Sequence, residues 1–152
     1  MIICVKESKL KKIVNDDLFK VVSICSEPLE YESAFNMTEL LPPADLFLKV
    51  RSGELSKKKF LKKYRKFIET KDTNIEYTIF TLGMALERKQ NLCLTASDKE
   101  YRLGYVKVLG DYLSELYGVE VKDADEVSEE IKFELDSYTK KEKKILKKSD
   151  EE

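Results

Sequence analysis

The chain has 152 residues, of which 42% are apolar and 38% are charged. This length suits one domain with its own hydrophobic core and is too short for two ordinary domains. The 28 basic and 29 acidic side chains leave a net charge of -1, so general attraction to nucleic acid or to an acidic membrane is not expected. The chain contains no histidine, a common acid–base catalyst and metal ligand, and neither a metal site nor a cofactor is predicted.

The cysteines and the lengths of the apolar runs indicate the cellular compartment in which the protein is expected. Cys4, Cys25 and Cys93 lie in separate apolar runs without a CxxC pair, so they are predicted to be buried, reduced thiols. The N-terminal apolar run is shorter than a secretory signal, and no run approaches the length of a membrane span. We therefore expect a cytoplasmic protein without a membrane partner.

The first half of the chain alternates apolar runs with amphipathic segments. The second of these runs, residues 18–25, is almost continuously apolar, which is typical of a strand that is covered on both faces. After it, polar residues and all three prolines predict a long, mostly irregular connection. The predicted elements are a strand over residues 1–5, a brief helix over 8–14, a strand over 18–25, the connection over 26–43, and helices over 44–52 and 57–70.

The second half repeats the alternation, which predicts an α/β fold with a small, mostly parallel sheet flanked by helices. Ser97-Asp98-Lys99-Glu100 matches a capping box, in which Ser97 accepts a hydrogen bond from one helix amide and Glu100 reaches back to another. One helix is predicted from this box to Gly118. Further predictions are a helix from 73 or 74 through 88, strands over 92–96 and 119–121, a last helix capped by Asp123 or Asp125, a single domain over 1–138, and a charged, frayed or disordered tail over 139–152.

The turn after the strand over residues 92–96 is the leading candidate for a ligand site. Helix N-terminal amides carry partial positive charge, and the planar guanidinium of Arg102 suits a phosphate or a carboxylate. The alternative is that Ser97 and Glu100 only cap the helix and that Lys99 is only solvated. No glycine lies in this turn, so neither a P-loop nor a dinucleotide-binding fingerprint applies.

The end of the strand over residues 18–25 is expected beside that turn if the two strands are neighbours in a parallel sheet. Cys25 is then the one credible nucleophile, and without histidine a lysine or arginine would have to activate it. A buried structural cysteine is the alternative interpretation. Glu27 and Asp98 are candidate acid–base groups, but nothing in the spacing of the carboxylates selects a pair.

The helix over residues 57–70 has a strongly basic face, with seven lysines or arginines between residues 57 and 66. Such a face can contact nucleic-acid phosphates. Acidic residues elsewhere compensate its charge, so we interpret it as a solvated outer face and do not predict nucleic acid as a partner. The tyrosines after the capping box have the spacing of core or rim residues rather than of a base-stacking surface.

Three segments, ELLPPADL at residues 39–46, GELS at 53–56 and FLKKY at 60–64, resemble the pattern ELAPS…L…G.IS…F…RY. That pattern belongs to domain-of-unknown-function family 488, including its YeaO-like branch. In that family a strand with a cysteine, an acidic turn, a CHR triplet and a helix follow. Here these parts are matched by residues 92–94, by residues 97–100 and by Tyr101-Arg102, and the early strand by VVSICSEP at 21–28.

The resemblance covers residues 21–113 and implies an α/β fold with a pocket where the early strand, the proline loop and the Arg102 turn meet. Tyr101 stands where the family has its histidine, and the preceding cysteine is absent. Chemistry that depends on that histidine is therefore not expected. Because such domains also occur in phage genomes, the resemblance further implies a divergent, phage-type member with a role in host interaction.

The sequence thus predicts a non-catalytic binding module for a nucleotide-like or other phosphorylated small ligand. One alternative is an enzyme on nucleosides, nucleotides or nucleic acid that uses Cys25 or a carboxylate. Another is a protein-binding adaptor or inhibitor that uses the connection over 26–43 or the last helix. The predicted ligand-binding residues are Ser26, Tyr31, Ser97, Lys99, Tyr101 and Arg102, with tyrosines, including Tyr105, flanking an aromatic part of the ligand.

Overall fold

The structure is a computed structural model and describes residues 1–13, 18–31 and 34–124. Short 3-10 turns lie at Glu7–Lys9 and Thr38–Leu40. The strands within the described residues are β1 (Ile2–Lys6), β2 (Phe19–Ser23), β3 (Phe35–Asn36), β4 (Asn91–Ala96) and β5 (Val121–Asp123). The helices are α1 (Leu10–Ile13), α2 (Ala44–Arg51), α3 (Lys57–Ile68), α4 (Thr73–Glu87), α5 (Asp98–Tyr101) and α6 (Tyr105–Tyr117).

The five strands form one parallel sheet in the order β3-β2-β4-β1-β5. Strand β4 lies at the centre, with Leu92 opposite Ile2 of β1 and Asn91 opposite Phe19 of β2. Every residue of β4 is buried, as expected for a parallel strand covered on both faces. The predicted α/β fold, a parallel sheet flanked by helices, is confirmed.

Alternate residues of the strands supply two apolar clusters. Ile2 and Cys4 of β1 belong to the larger cluster, which also contains the buried faces of α2, α3, α4 and α6. Ile3 and Val5 belong to the second cluster, together with Leu10 of α1. Because successive side chains of a strand point to opposite faces, the two clusters lie on opposite sides of the sheet.

Helix α6 approaches the sheet closely because it carries a glycine where it faces β1. A Cβ atom on Gly110 would lie 2.7 Å from the Cys4 sulfur and 3.1 Å from a methyl group of Val121. Any side chain at Gly110 would therefore push α6 away from β1 and β5. This close contact fixes the position of α6 against β1 and β5.

Polar side chains cap the N-termini of α3 and α4. Ser56 accepts a hydrogen bond from the Lys59 amide at the start of α3. Helix α4 begins at Thr73, and its cap is Asp72, whose carboxylate accepts from the amides of Asn74 and Ile75.

The structure differs from the predicted elements in three places. The connection over residues 26–43 contains β3 and a 3-10 turn, so part of it is regular. The helix predicted to run unbroken to Gly118 is divided into α5 and α6 at Gly104, which has φ of 90°. The last strand lies at Val121–Asp123 rather than at 119–121. The predictions for Val14, for the last helix and for the tail over 139–152 lie outside the described residues.

Candidate functional site

The connections of the sheet leave the carboxyl ends of β2 and β4 in opposite directions, and we call the region beyond these ends the crevice. From β2 the chain continues to β3 at one edge of the sheet, and from β4 it continues to β5 at the other edge. Strands β2 and β4 are neighbours, with Ser23 opposite Thr95 near their ends. Adjacent parallel strands whose connections leave in opposite directions are where open α/β sheets bind ligands.

The carboxylate of Glu100 bridges the two sides of this crevice. Glu100 lies in α5 just after β4 and is only 3% exposed. Its Oε2 accepts hydrogen bonds from the Cys25 thiol at 2.8 Å and from the Ser26 amide at 3.0 Å. Its Oε1 accepts from the Ser26 hydroxyl. The segment after β2 and the turn after β4 are thus joined through one buried side chain.

Arg51 adds a cation from a third part of the chain. This residue ends α2, and its Nη2 lies 3.4 Å from Glu100 Oε1. The guanidinium also stacks over the ring of Phe47, 5.2 Å from its centroid, a cation–π contact that orients it. The Arg51 side chain is 44% exposed. Arg51 therefore contacts the buried carboxylate and also faces solvent.

The surroundings of Glu100 favour its ionised form. Burial by itself raises the pKa of this carboxyl, but the hydrogen bonds from Cys25 and Ser26 and the charge of Arg51 lower it further than burial raises it. The net result is a pKa below the ordinary value for glutamate. At neutral pH the crevice therefore contains a carboxylate and a guanidinium side by side.

Tyr105 supports the segment that carries the site. Its ring is fully buried, and its hydroxyl donates to the carbonyl of Ile24 at 2.5 Å. Burial raises the pKa of Tyr105, so the phenol keeps its proton and remains a donor. The Ile24 amide donates to the carbonyl of Thr95 at 2.9 Å. Together these bonds hold the residue before Cys25 against β4.

Two of the predicted ligand-binding residues, Ser26 and Ser97, lie at this crevice. Ser97 caps α5 by accepting from the Glu100 amide at 3.4 Å, and Glu100 in turn contacts Ser26. The predicted proximity of the segment after β2 to the turn after β4 is confirmed by the pairing of these strands. Lys99 and Arg102 are exposed on the same turn.

Two of the predicted tyrosines, Tyr101 and Tyr31, are directed elsewhere. Tyr101 is 7% exposed, and its hydroxyl donates to Asp123 at the end of β5, at 2.9 Å. Tyr31 packs against the second apolar cluster, on the opposite face of the sheet from Tyr101. Tyr105, fully buried in the larger cluster, is part of the core. The structure does not bring these rings together around Ser26.

One of the two hydrogen bonds predicted for the capping box is present. The Ser97 hydroxyl accepts from the Glu100 amide as predicted. The Glu100 carboxylate accepts instead from Cys25 and Ser26, which lie 75 and 74 residues away in the chain. The sequence did not predict the roles of Glu100 and Arg51. The capping box already accounted for Glu100, and no neighbouring residue in the sequence indicated a partner for either side chain. The only available signal was the position of Glu100 just after a buried strand.

Other surface features lie away from this crevice. A groove of about 380 Å3 runs between α3 and α6 and is lined in part by Lys62, Arg65 and Glu115. A second, of about 320 Å3, lies along α4 beside the exposed rings of Tyr77 and Phe80. These rings are apolar surface of the kind that the adaptor alternative requires, although they belong to neither segment that the sequence suggested.

In the described part of the chain, Cys4, Cys25 and Cys93 are buried thiols, which confirms the prediction. Within the same ranges, no three histidine, cysteine, aspartate or glutamate side chains cluster as metal ligands would. No helix among these residues has the length and apolarity needed to cross a membrane.

Comparison with known proteins found no relative of the chain. No family model, no curated protein and no solved structure matches it. The resemblance to family 488 therefore stays a prediction that depends on the segments quoted above.

Proposed function

We propose that the protein is a non-catalytic binding module for a nucleotide-like or other phosphorylated small ligand. The ligand is held in the crevice beyond the carboxyl ends of β2 and β4. The observation that carries this proposal is the convergence of Arg51, Ser26 and the buried carboxylate of Glu100 at that crevice. Open α/β sheets bind ligands at this position.

The pairing of a carboxylate with a partly exposed guanidinium suits a ligand that has both hydroxyl and anionic groups. Arg51 has five N–H donors in a planar fork, and its contact with Glu100 involves one nitrogen. The exposed side chain can therefore also donate to phosphate oxygens. Glu100 already accepts four hydrogen bonds, as many as an ionised carboxylate offers, so a sugar hydroxyl donates to it by displacing the hydroxyl of the exposed Ser26. A nucleoside monophosphate carries both groups.

The internal contacts of Glu100 refine which residues hold the anion. The amide and hydroxyl of Ser26 already donate to Glu100, so they position the carboxylate rather than the ligand. Lys99 and Arg102 are exposed on the neighbouring turn and add positive charge. We assign the phosphate to Arg51 with Arg102 and Lys99, and the hydroxyl groups to Glu100.

Calorimetric titration with nucleoside monophosphates, ribose 5-phosphate and inorganic phosphate tests this assignment. Arg51→Ala should weaken binding of the phosphorylated probes at least tenfold, because a charge-assisted hydrogen bond to the phosphate is lost. Arg88→Ala is the matched control, since Arg88 is also exposed and lies just after α4 beside a different groove. Absence of binding by all probes, or equal affinities of the two variants, would contradict the proposal.

A second candidate function is catalysis on a nucleoside or nucleotide through Cys25. The observation in its favour is the 2.8 Å contact between the Cys25 sulfur and Glu100 Oε2, since a carboxylate within hydrogen-bond distance can accept the proton of an attacking thiol. Against it, Cys25 is only 2% exposed, so a substrate reaches the sulfur only if the crevice opens.

Chromatography of each bound nucleotide after long incubation separates the two functions. Conversion that is lost in Cys25→Ser, with binding retained, would establish catalysis. Recovery of unchanged ligand from the wild-type protein would support the binding module. The phage host-interaction role and the relation to family 488 stay predictions alongside either function.

A further inference from the structure

We propose that the outer face of α3 binds the phosphate backbone of duplex DNA without reading its base sequence. This surface, which we call the lysine face, consists of Lys58, Lys59, Lys62, Lys63 and Lys66. It is separate from the crevice at the ends of β2 and β4, so the inference does not depend on the proposed ligand.

The lysine face is defined by the way α3 packs. Phe60, Tyr64 and Ile68 recur every four residues and are buried against the core. The five lysines occupy the opposite side of the helix, and each is exposed. No acidic residue lies within Lys57–Ile68. The outward surface of this helix is therefore built from one residue type.

None of the five lysines makes an ion pair within the described parts of the chain, although Lys58 and Lys62 line the groove between α3 and α6 together with Asp111 and Glu115. Within the described residues, Arg65 is the one cation of α3 with an ion pair, to Glu69 and Glu115. Lysines four residues apart, such as Lys58 and Lys62, repel each other and destabilise the helix. Residues 49–71 contain ten basic and two acidic residues, a net charge of +8, whereas the whole chain has -1. The near-neutral total thus conceals a concentrated basic region.

The composition of the lysine face selects its partner. Lysine is depleted in protein–protein interfaces, which rely on aromatic and arginine anchors. A membrane-binding helix inserts apolar side chains, but the apolar residues of α3 face the core. Phosphates, in contrast, need only point charges that fix position without reading bases. An array of lysines with no apolar member fits a nucleic-acid backbone best.

The shape of the surface favours duplex DNA among nucleic acids. The face has no aromatic side chain on which an unpaired base would stack. The major groove of B-DNA admits a helix, whereas that of duplex RNA is deep and narrow. Twelve residues of helix are about 18 Å long, over which B-DNA presents about ten phosphates. Five lysines therefore have enough phosphates within the length of the helix.

Fluorescence anisotropy with a labelled DNA duplex of about 20 base pairs, measured across a range of salt concentrations, tests the proposal. Neutralising about five phosphates predicts a slope of about -4 to -5 for log K against log salt. Lys62→Ala/Lys66→Ala should reduce the slope by about 2 and the affinity at least tenfold at about 50 mM salt. Alanine is the strongest helix former, so α3 should be retained, and circular dichroism checks this.

Lys11→Ala/Lys12→Ala is the matched control, because it removes the same charge from exposed positions of α1. This variant should keep the wild-type affinity and slope. No binding of the wild-type protein at about 50 mM salt, or equal losses in the two variants, would overturn the proposal. Tighter binding to an RNA duplex or to vesicles with anionic lipid than to DNA would overturn the assignment of the partner.

Discussion

Glu100 joins three distant parts of the chain through one carboxylate. Its partners are Cys25 and Ser26 after β2 and Arg51 at the end of α2. A buried carboxylate without partners would be costly, whereas one that accepts several hydrogen bonds is stable in its ionised form. The same contacts that tie the crevice together therefore keep it charged.

Glu100→Gln should destabilise the protein by about 1.5–3 kcal/mol at pH 7, because hydrogen bonds to a charged acceptor become bonds to a neutral amide. The pKa of Glu100 in the folded state lies below the ordinary 4.5. The stabilisation is therefore complete above that value and is lost as pH falls through the folded-state pKa. Urea unfolding at pH 7 and at about pH 3 should show a difference between wild type and variant that shrinks at low pH.

The exposed Glu39 provides the control for this titration. Glu39→Gln should change the free energy of unfolding by less than about 0.5 kcal/mol at both pH values, as is usual for an exposed substitution. Equal effects of the two substitutions would show that the contacts of Glu100 do not contribute to stability.

Tyr105→Phe tests the support beneath the site. Removing the hydroxyl leaves the Ile24 carbonyl without this buried donor, which should lower the free energy of unfolding by about 1–3 kcal/mol. Tyr77→Phe removes a hydroxyl from a side chain that is 70% exposed and should have almost no effect. Chemical denaturation of both variants measures the difference, and a cost equal to that of Tyr77→Phe would contradict the role assigned to the hydrogen bond.

At the scale of elements, the break between α5 and α6 allows Glu100 to face β2 while α6 packs on the sheet. Gly104 makes this break with φ of 90°, a conformation that residues with a Cβ atom rarely adopt. A Cβ atom there would also lie 3.3 Å from Leu61 and Lys57 side-chain carbons. The sequence did not predict this break, because apolar residues recur at helical spacing from Tyr101 into α6.

Gly104→Ala should destabilise the protein by more than about 1 kcal/mol, since an alanine at this φ is strained. Gly118→Ala is the comparison, because Gly118 has φ of 65° and no atom within 4 Å of a built Cβ. Thermal unfolding should give a larger loss for Gly104→Ala than for Gly118→Ala. The reverse order would mean that the break at Gly104 does not depend on glycine.

Most elements were predictable because each has a local cause. Long apolar runs predicted β1, β2 and β4, and apolar residues at helical spacing predicted α3 and α4. The two-residue strand β3 was missed because so short a strand has no pattern of its own and is defined by its pairing with Val22 and Ser23. Glu100 and Arg51 were missed for a related reason, since their significance lies in contacts across 49 or more residues.

At the scale of the molecule, the sheet separates two apolar clusters, and these clusters contain all three thiols. Burial raises the pKa of Cys4, which disfavours its reactive thiolate. We expect none of the thiols to react rapidly with a thiol reagent in the folded protein, and all three to react in denaturant. Rapid modification of Cys25 alone under native conditions would instead indicate an opening crevice and would favour the catalytic candidate.

The sequence by itself determined the fold class, most helix and strand positions, and the burial of the cysteines. These follow from apolar periodicity and capping, which act over a few residues. Only the tertiary structure decided that Glu100 turns to Cys25 and Ser26 and that Arg51 joins them. Such features depend on which distant segments become neighbours, and strand order and helix packing decide that after the local elements exist.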